Sequence, residues 1–218
     1  FFSQNRNSQC SPERLAFRMP PSKPRVSVVW FKSTDLRLHD HVPLHKAHAQ
    51  PYPVIHLFVF DPFWFRPLPI TRLPKTGPIR AKFLVEAVHD LRQSLQDQGA
   101  SLTVRHCSAV DAFRDLLGAF EINAVYAYKE VCSQEVKIER RVGQLLATAP
   151  RGSGGAPPPR LSLDWGFTLY HKEDLPADVF RRYPRSYTGF RKIVEEQSWV
   201  RPPIGMDEGQ PPLRLRPA

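Results

Sequence analysis

Five strand-sized apolar runs recur along this chain with amphipathic stretches between them, and that rhythm constrains the fold more than any other feature. VSVVWF at 26–31, VIHLFVFD at 54–61, LTVRH at 102–106, AVYAYK at 124–129 and LSLDW at 161–165 read as strands. Between the second and third, residues 78–98 place Phe83, Leu84, Ala87, Val88, Leu91 and Leu95 on one helical face, and Gly99 supplies a C-terminal stop. Ser108 is expected to cap a helix bearing Val110, Phe113, Leu116, Leu117 and Phe120. Ser133 is expected to cap another, bearing Val136, Ile138, Val142, Leu145 and Leu146.

Strand–helix alternation at this spacing implies an α/β fold: a Rossmann-like, open, parallel five-stranded sheet with helices on both faces. A chain of 218 residues is long enough to bury a real core. The expected organisation is a basic disordered tail at 1–25, one α/β domain at 26–204 and a disordered tail at 205–218, where no apolar period is present. The Gly/Pro-rich segment APRGSGGAPPPR at 149–160 reads as a surface insertion before the last strand.

Composition narrows the functional classes. The net charge is +10, but residues 1–30 carry +4 and residues 201–218 carry +1, so the body retains +5. That balance is compatible with phosphate contact without establishing it. Three cysteines (Cys10, Cys107, Cys132) without paired spacing argue against a disulfide framework or a zinc site and favour a reducing intracellular compartment. No apolar run approaches the ~20 residues of a membrane span, the longest being VIHLFVF at 54–60. The first 25 residues are rich in Arg and Ser and nearly free of acids, a composition shared with chloroplast and mitochondrial transit peptides.

In a parallel sheet of this kind ligands bind beyond the carboxyl ends of the strands, near the point where strand order reverses. The loop DLRLHDH at 35–41 follows the first strand and Glu130 follows the fourth. The first strand–helix turn contains no glycine, so neither a dinucleotide fingerprint nor a P-loop is present. His39 and His41, two apart, point to opposite sides of an extended chain and make a poor metal pair. Asp35 and Asp40 are expected to satisfy loop backbone donors, with Arg37 paired to either carboxylate. Cys107 is expected to be a small buried residue, and Phe63–Trp64–Phe65 to form a lid or docking face. Glu130 is either the acceptor of paired N–H donors from a heterocycle or an ion-pair partner of Lys129, Lys137 or another basic neighbour.

Several ordered motifs resemble one family. VVWFKSTDLRLHDH at 28–41 is similar to the opening signature of photolyases and cryptochromes. FDP at 60–62, LPKTGPIRAKFLVEAVHDLRQSL at 73–95, YAYKEVCSQEVKIERRV at 126–142, WGFTLYHKEDLP at 165–176, FRKIVE from 190 and VRPPI at 200–204 resemble its DASH cryptochrome branch. The resemblance implies the amino-terminal α/β domain, which helps to hold an antenna pigment, commonly 5,10-methenyltetrahydrofolate. By motif match Glu130 corresponds to the carboxylate that binds the pterin, with Lys129, Trp30 and Phe31 as further pocket candidates. It places FAD, and most of the contact with DNA, in a helical domain beyond this segment. No catalytic residue and no metal site are then expected here. The parent activity implied is blue-light-driven repair of cyclobutane pyrimidine dimers, or photoreception, by a monomer. The alternative is a stand-alone, non-catalytic module that binds a pigment or a partner, or a decayed remnant. Departures from the pattern are Lys32 where arginine is usual, an added residue at Ser33–Thr34, and His41 where asparagine is usual.

Overall fold

Strand β1, Arg25–Phe31, is the centre of the molecule, and six of its seven residues are buried because it is covered on both faces. The computed structural model describes residues 23–152, 155–181 and 184–204. Of the expected tails, 205–218 lies outside the described residues, as does 1–25 except for Lys23, Pro24 and Arg25. The other strands are β2 (Val54–Val59), β3 (Leu102–Arg105), β4 (Glu121–Tyr128) and β5 (Arg160–Asp164). They form one sheet in the order β3-β2-β1-β4-β5, and every neighbouring pair is parallel. The order reverses at β1, so the crevice between the ends of β1 and β4 is the topological switch point.

The alternation of β1 divides the core. Val26, Val28 and Trp30 face one side and pack with Phe113 and Leu116 of α3 (Ala109–Ala119) and Val142 and Leu146 of α4 (Ser133–Ala147). Val29 and Phe31 face the other and pack with Leu44 and Ala47 of α1 (Val42–His48) and Val88, Leu91 and Leu95 of α2 (Pro78–Asp97). The expected five-stranded parallel sheet with helices on both faces is the observed one. The short helices α5 (Ala177–Arg181) and α6 (Tyr187–Gln197) follow β5.

The differences from the sequence reading have local causes. Strand β4 begins at Glu121 rather than 124, because Arg25 of β1 donates to Asn123 Oδ1 (3.1 Å) and pairs with Glu121 (3.7 Å), carrying polar residues into the ladder. Helix α1 gave no apolar period of its own. It is two turns long, started by Pro43 and by His41, whose Nδ1 accepts the Leu44 N–H at 3.1 Å. Ser108 caps α3 as expected, accepting the Asp111 N–H, and Gly99 ends α2 with φ +76°. Ser133 does not cap α4; it is the first residue inside the helix, and Cys132 precedes it without a side-chain bond. Phe83 is 68% exposed, whereas Leu84, Val88, Leu91 and Leu95 carry the core-facing side of α2.

A buried imidazole pair joins α1 to β2. His56 Nδ1 lies 3.1 Å from Ser101 O, and its Nε2 lies 2.9 Å from His48 Nε2. With His56 Nδ1–H donating to the carbonyl, its Nε2 accepts from His48, an arrangement that requires the His56 ring to be neutral. Burial lowers the His56 pKa from 6.5 to about 4, against the opposing pull of Ser101. The unfolded chain therefore binds this proton more readily between those values, and His56 removes stability as pH falls from about 6.5 towards 4. The loss approaches about 3 kcal/mol. Urea midpoints measured across that range should fall more steeply for the parent chain than for His56→Leu.

Candidate functional site

A cavity of about 310 Å³ opens at the carboxyl ends of β1, β2 and β4, beside the switch point. Trp30 and Phe31 form its floor from opposite faces of β1, and both are buried. Trp30 packs edge-on against Phe113 at 5.3 Å, while Phe31 meets His41 at 4.9 Å. Trp64 and Phe65 of the 3-10 turn Pro62–Phe65, with Phe83 of α2, give the mouth an aromatic wall. Of the aromatic triplet expected as a lid or docking face, Trp64 and Phe65 line the cavity and Phe63 does not. Lys75 lies 4.0 Å and 4.3 Å from the Phe63 and Trp64 ring centroids and bonds Gln134 of α4, which ties the rim across the opening.

Asp61 fixes that rim. One oxygen accepts the Phe63 N–H at 2.9 Å and the other the Ala109 N–H at 3.1 Å, so one buried carboxylate caps the 3-10 turn and the start of α3.

The loop 32–41 builds the adjoining wall. Asp35 accepts the Lys32 N–H at 2.6 Å, and its backbone carbonyl accepts the Arg37 N–H at 2.7 Å. Asp40 sits at φ +47°, in the left-handed region that aspartate tolerates. Its carbonyl receives both the Tyr128 hydroxyl and the Arg37 guanidinium at 3.1 Å, and its carboxylate receives the Ile204 N–H at 3.0 Å. The expected pairing of Arg37 with a carboxylate is not observed. Arg37 spans to a backbone oxygen and lies over the Tyr128 ring at 5.7 Å. His41 is fully buried between Phe31 and Tyr128, with Nε2 3.5 Å from Asp35 Oδ2. Among the described residues no group of three or more His, Cys, Asp or Glu side chains could hold a metal ion.

Glu130 is buried in the cavity wall, and no ion pair with Lys129 or Lys137 forms. Its carboxylate receives one long hydrogen bond, from Thr34 Oγ1 at 3.4 Å. Burial pushes its pKa above the ordinary carboxylate value; Lys32 draws it down, while Glu139, Glu135 and Asp35 add to the rise. The site therefore presents an acceptor in need of donors.

The structure places Lys129 differently from the other candidates. It is exposed, lies outside the cavity lining, and uses its N–H to extend the ladder to Asp164 O at 2.7 Å. Two residues not recognised from sequence are central instead. Lys32, noted only as a departure from the motif, donates to Tyr128 O at 2.6 Å and forms an ion pair with Glu139. Glu139 accepts the Glu130 N–H at 2.8 Å. A signal for Glu139 was present: it shares the buried face of α4 with Val142 and Leu146, where a carboxylate needs a partner. Cys107, expected to be buried, is only half-buried in the turn after β3, and burial followed by Asp115 and Asp111 raises its thiol pKa.

Residues 27–208 match the DNA photolyase family. A cryptochrome DASH from Gloeobacter violaceus is 39% identical over 191 residues, covering 87% of this chain and 36% of the relative. A chloroplastic/mitochondrial cryptochrome DASH from Solanum lycopersicum is 37% identical over 184 residues, covering 81% of this chain and 32% of the relative. The chain thus spans about a third of the length of these curated relatives. Among solved structures, a Synechocystis cryptochrome aligns with a TM-score of 0.73 at 32% identity, over 83% of this chain and 35% of the other. An archaeal photolyase from Sulfolobus tokodaii, 18% identical with a TM-score of 0.60, shares the fold.

Replacing Asp61 by alanine strips two backbone N–H groups of their acceptor at the cavity rim. We expect a loss of about 2 kcal/mol, read as a lower urea midpoint with an unchanged denaturant slope.

Proposed function

Because the chain belongs to the DNA photolyase family, we propose that it is the antenna-binding α/β domain of a DASH-type protein, with Glu130 holding the pterin head of 5,10-methenyltetrahydrofolate. The observation that carries this reading is the buried, under-satisfied Glu130 carboxylate at the wall of a cavity beside the switch point. Two adjacent N–H donors of a heterocycle would satisfy both of its oxygens. A volume of about 310 Å³ lies at the low end for small-molecule sites. It suits a ring system whose remainder lies outside. Trp64, Phe65 and Phe83 offer flat apolar contact, and exposed Arg80 at the lining complements the carboxylates of a folate tail.

When bound, the folate would absorb near-ultraviolet and blue light and pass the energy to a flavin. This chain's residues bind and orient it: Glu130 accepts, Thr34 and the aromatic wall position, and Asp61 holds the rim rigid. In this reading FAD and most of the DNA contact belong to a helical domain, and residues 26–204 are one α/β unit that docks against it. Exposed Ile79, Phe83 and Val85 on α2, with Ile70 and Leu73 in the preceding loop, supply apolar surface suited to such docking. Among the described residues no helix is long and apolar enough to cross a membrane. The chloroplastic/mitochondrial names of the plant relatives and the Arg/Ser-rich, acid-poor first residues together support an organellar location.

The test is fluorescence titration of the chain with 5,10-methenyltetrahydrofolate. Saturable binding is expected, weakened roughly tenfold or more by Glu130→Gln, since an ionised acceptor is worth more than a neutral one. Equal affinity of parent and variant would remove Glu130 from the site. The same preparation should not retain stoichiometric FAD, and an oxidised-flavin spectrum at one equivalent would overturn the domain assignment.

A further inference from the structure

Two buried carboxylates meet at the end of β4; one lysine reaches both with its charge but bonds directly to Glu139 alone among them. The Lys32 ammonium donates to Glu139 and to Tyr128 O at 2.6 Å, and lies 4.8 Å from the Trp30 ring centroid. Two of its N–H groups are thus bonded, and the charge sits over an aromatic face. Glu139 Oε1 also accepts the Glu130 N–H at 2.8 Å, so the carboxylate that captures the lysine fixes the backbone bearing Glu130. Among the described residues, Glu130 itself receives only Thr34 Oγ1 at 3.4 Å.

The remaining charges around Glu130 do not change this imbalance. Helix α4 adds Glu135 and the loop after β1 adds Asp35, both negative, with His41 facing Asp35. From the β2 side Asp61 is engaged by two backbone N–H groups, and from α2 Arg80 stands exposed at the mouth. Glu139 and Lys32 thus form a closed pair beside an open acceptor.

We propose that Glu139 is a positioning residue: by holding Lys32 it keeps Glu130 free of a protein cation, and so open to a ligand that presents paired N–H donors or positive charge. The ligand class rests on the preceding reading of Glu130; the positioning role does not. Were Lys32 released, its flexible stem would let the ammonium turn to Glu130 and occupy the acceptor. The pair therefore sets specificity by exclusion. It favours donor-rich and cationic heads, and it disfavours carboxylate or phosphate heads, which Glu130 repels.

Two substitutions separate this role from a merely structural one. Glu139→Gln keeps the shape and an oxygen for the Glu130 N–H but gives up the charge that holds Lys32. Lys32→Met removes the cation. The Glu130 carboxyl, followed by carbon-13 NMR titration of the chain without ligand, should titrate about 1 pH unit or more lower in Glu139→Gln and higher in Lys32→Met. Binding of 5,10-methenyltetrahydrofolate at neutral pH should weaken roughly tenfold in Glu139→Gln. Glu130 titrating as in the parent, or moving in the same direction in both variants, would overturn the proposal. If the parent binds no folate yet the two titrations diverge, the positioning role stands and only the folate reading falls. If Glu139→Gln does not fold, Glu139→Asp decides, since it keeps the negative charge but shortens the reach to Lys32: a downward move of Glu130 supports the proposal and no move overturns it.

Discussion

The Lys32 ammonium is the interaction on which the functional end of the sheet depends. A buried cation is costly unless each of its donors is met. Here it is met by the last carbonyl of β4, a carboxylate of α4 and the face of Trp30. Those partners come from two adjacent strands and a helix, so one side chain ties the switch point together. Removing one member of such a pair leaves the other charged and buried, which typically costs about 3–5 kcal/mol. The first loop then starts from a fixed point, since the Lys32 N–H is bound to Asp35.

From that anchor the rest of the site follows by satisfaction of backbone groups. Asp35, Asp40 and Tyr128 bind the loop from the end of β1 to the start of α1. Asp61 does the same for the opposite rim. The dense ionisable run at 35–41 is thus spent on geometry, with its polar atoms turned mainly to the backbone. Among the described residues, Asp35 Oδ2 and His41 Nε2 are buried without hydrogen-bond partners, but they face each other at 3.5 Å and lie outside the cavity lining. Glu130 differs in lining the cavity, where a ligand can supply the donors its engaged neighbours do not.

Much of the fold was legible in the sequence, and the reason is specific. Strands covered on both faces are mostly apolar, so β1 and β2 stood out as apolar runs despite buried Ser27 and His56, and the stripe on α3 matched its buried face. Helix α1 was not legible, because in seven residues only Leu44 and Ala47 mark its buried side among histidines and a lysine. Strand β4 was read short because its first polar residues are paired across the sheet by Arg25. In the site, Glu130 was legible from its place at a strand end and from its motif, whereas Lys129 differs only by one step and faces solvent. Glu139 was missed because its partner lies 107 residues away.

The sequence by itself determined the layer architecture, the strand-end position of Glu130 and the family, since these depend on periodicity and on ordered local motifs. Only the tertiary structure decided which charges meet. Glu130, Glu139 and Lys32 are equivalent candidates for pairing when read as letters. Their roles separate only when the sheet brings β1 beside β4 and lays α4 across both. An ion pair is a matter of distance and desolvation, and neither is written in residue order.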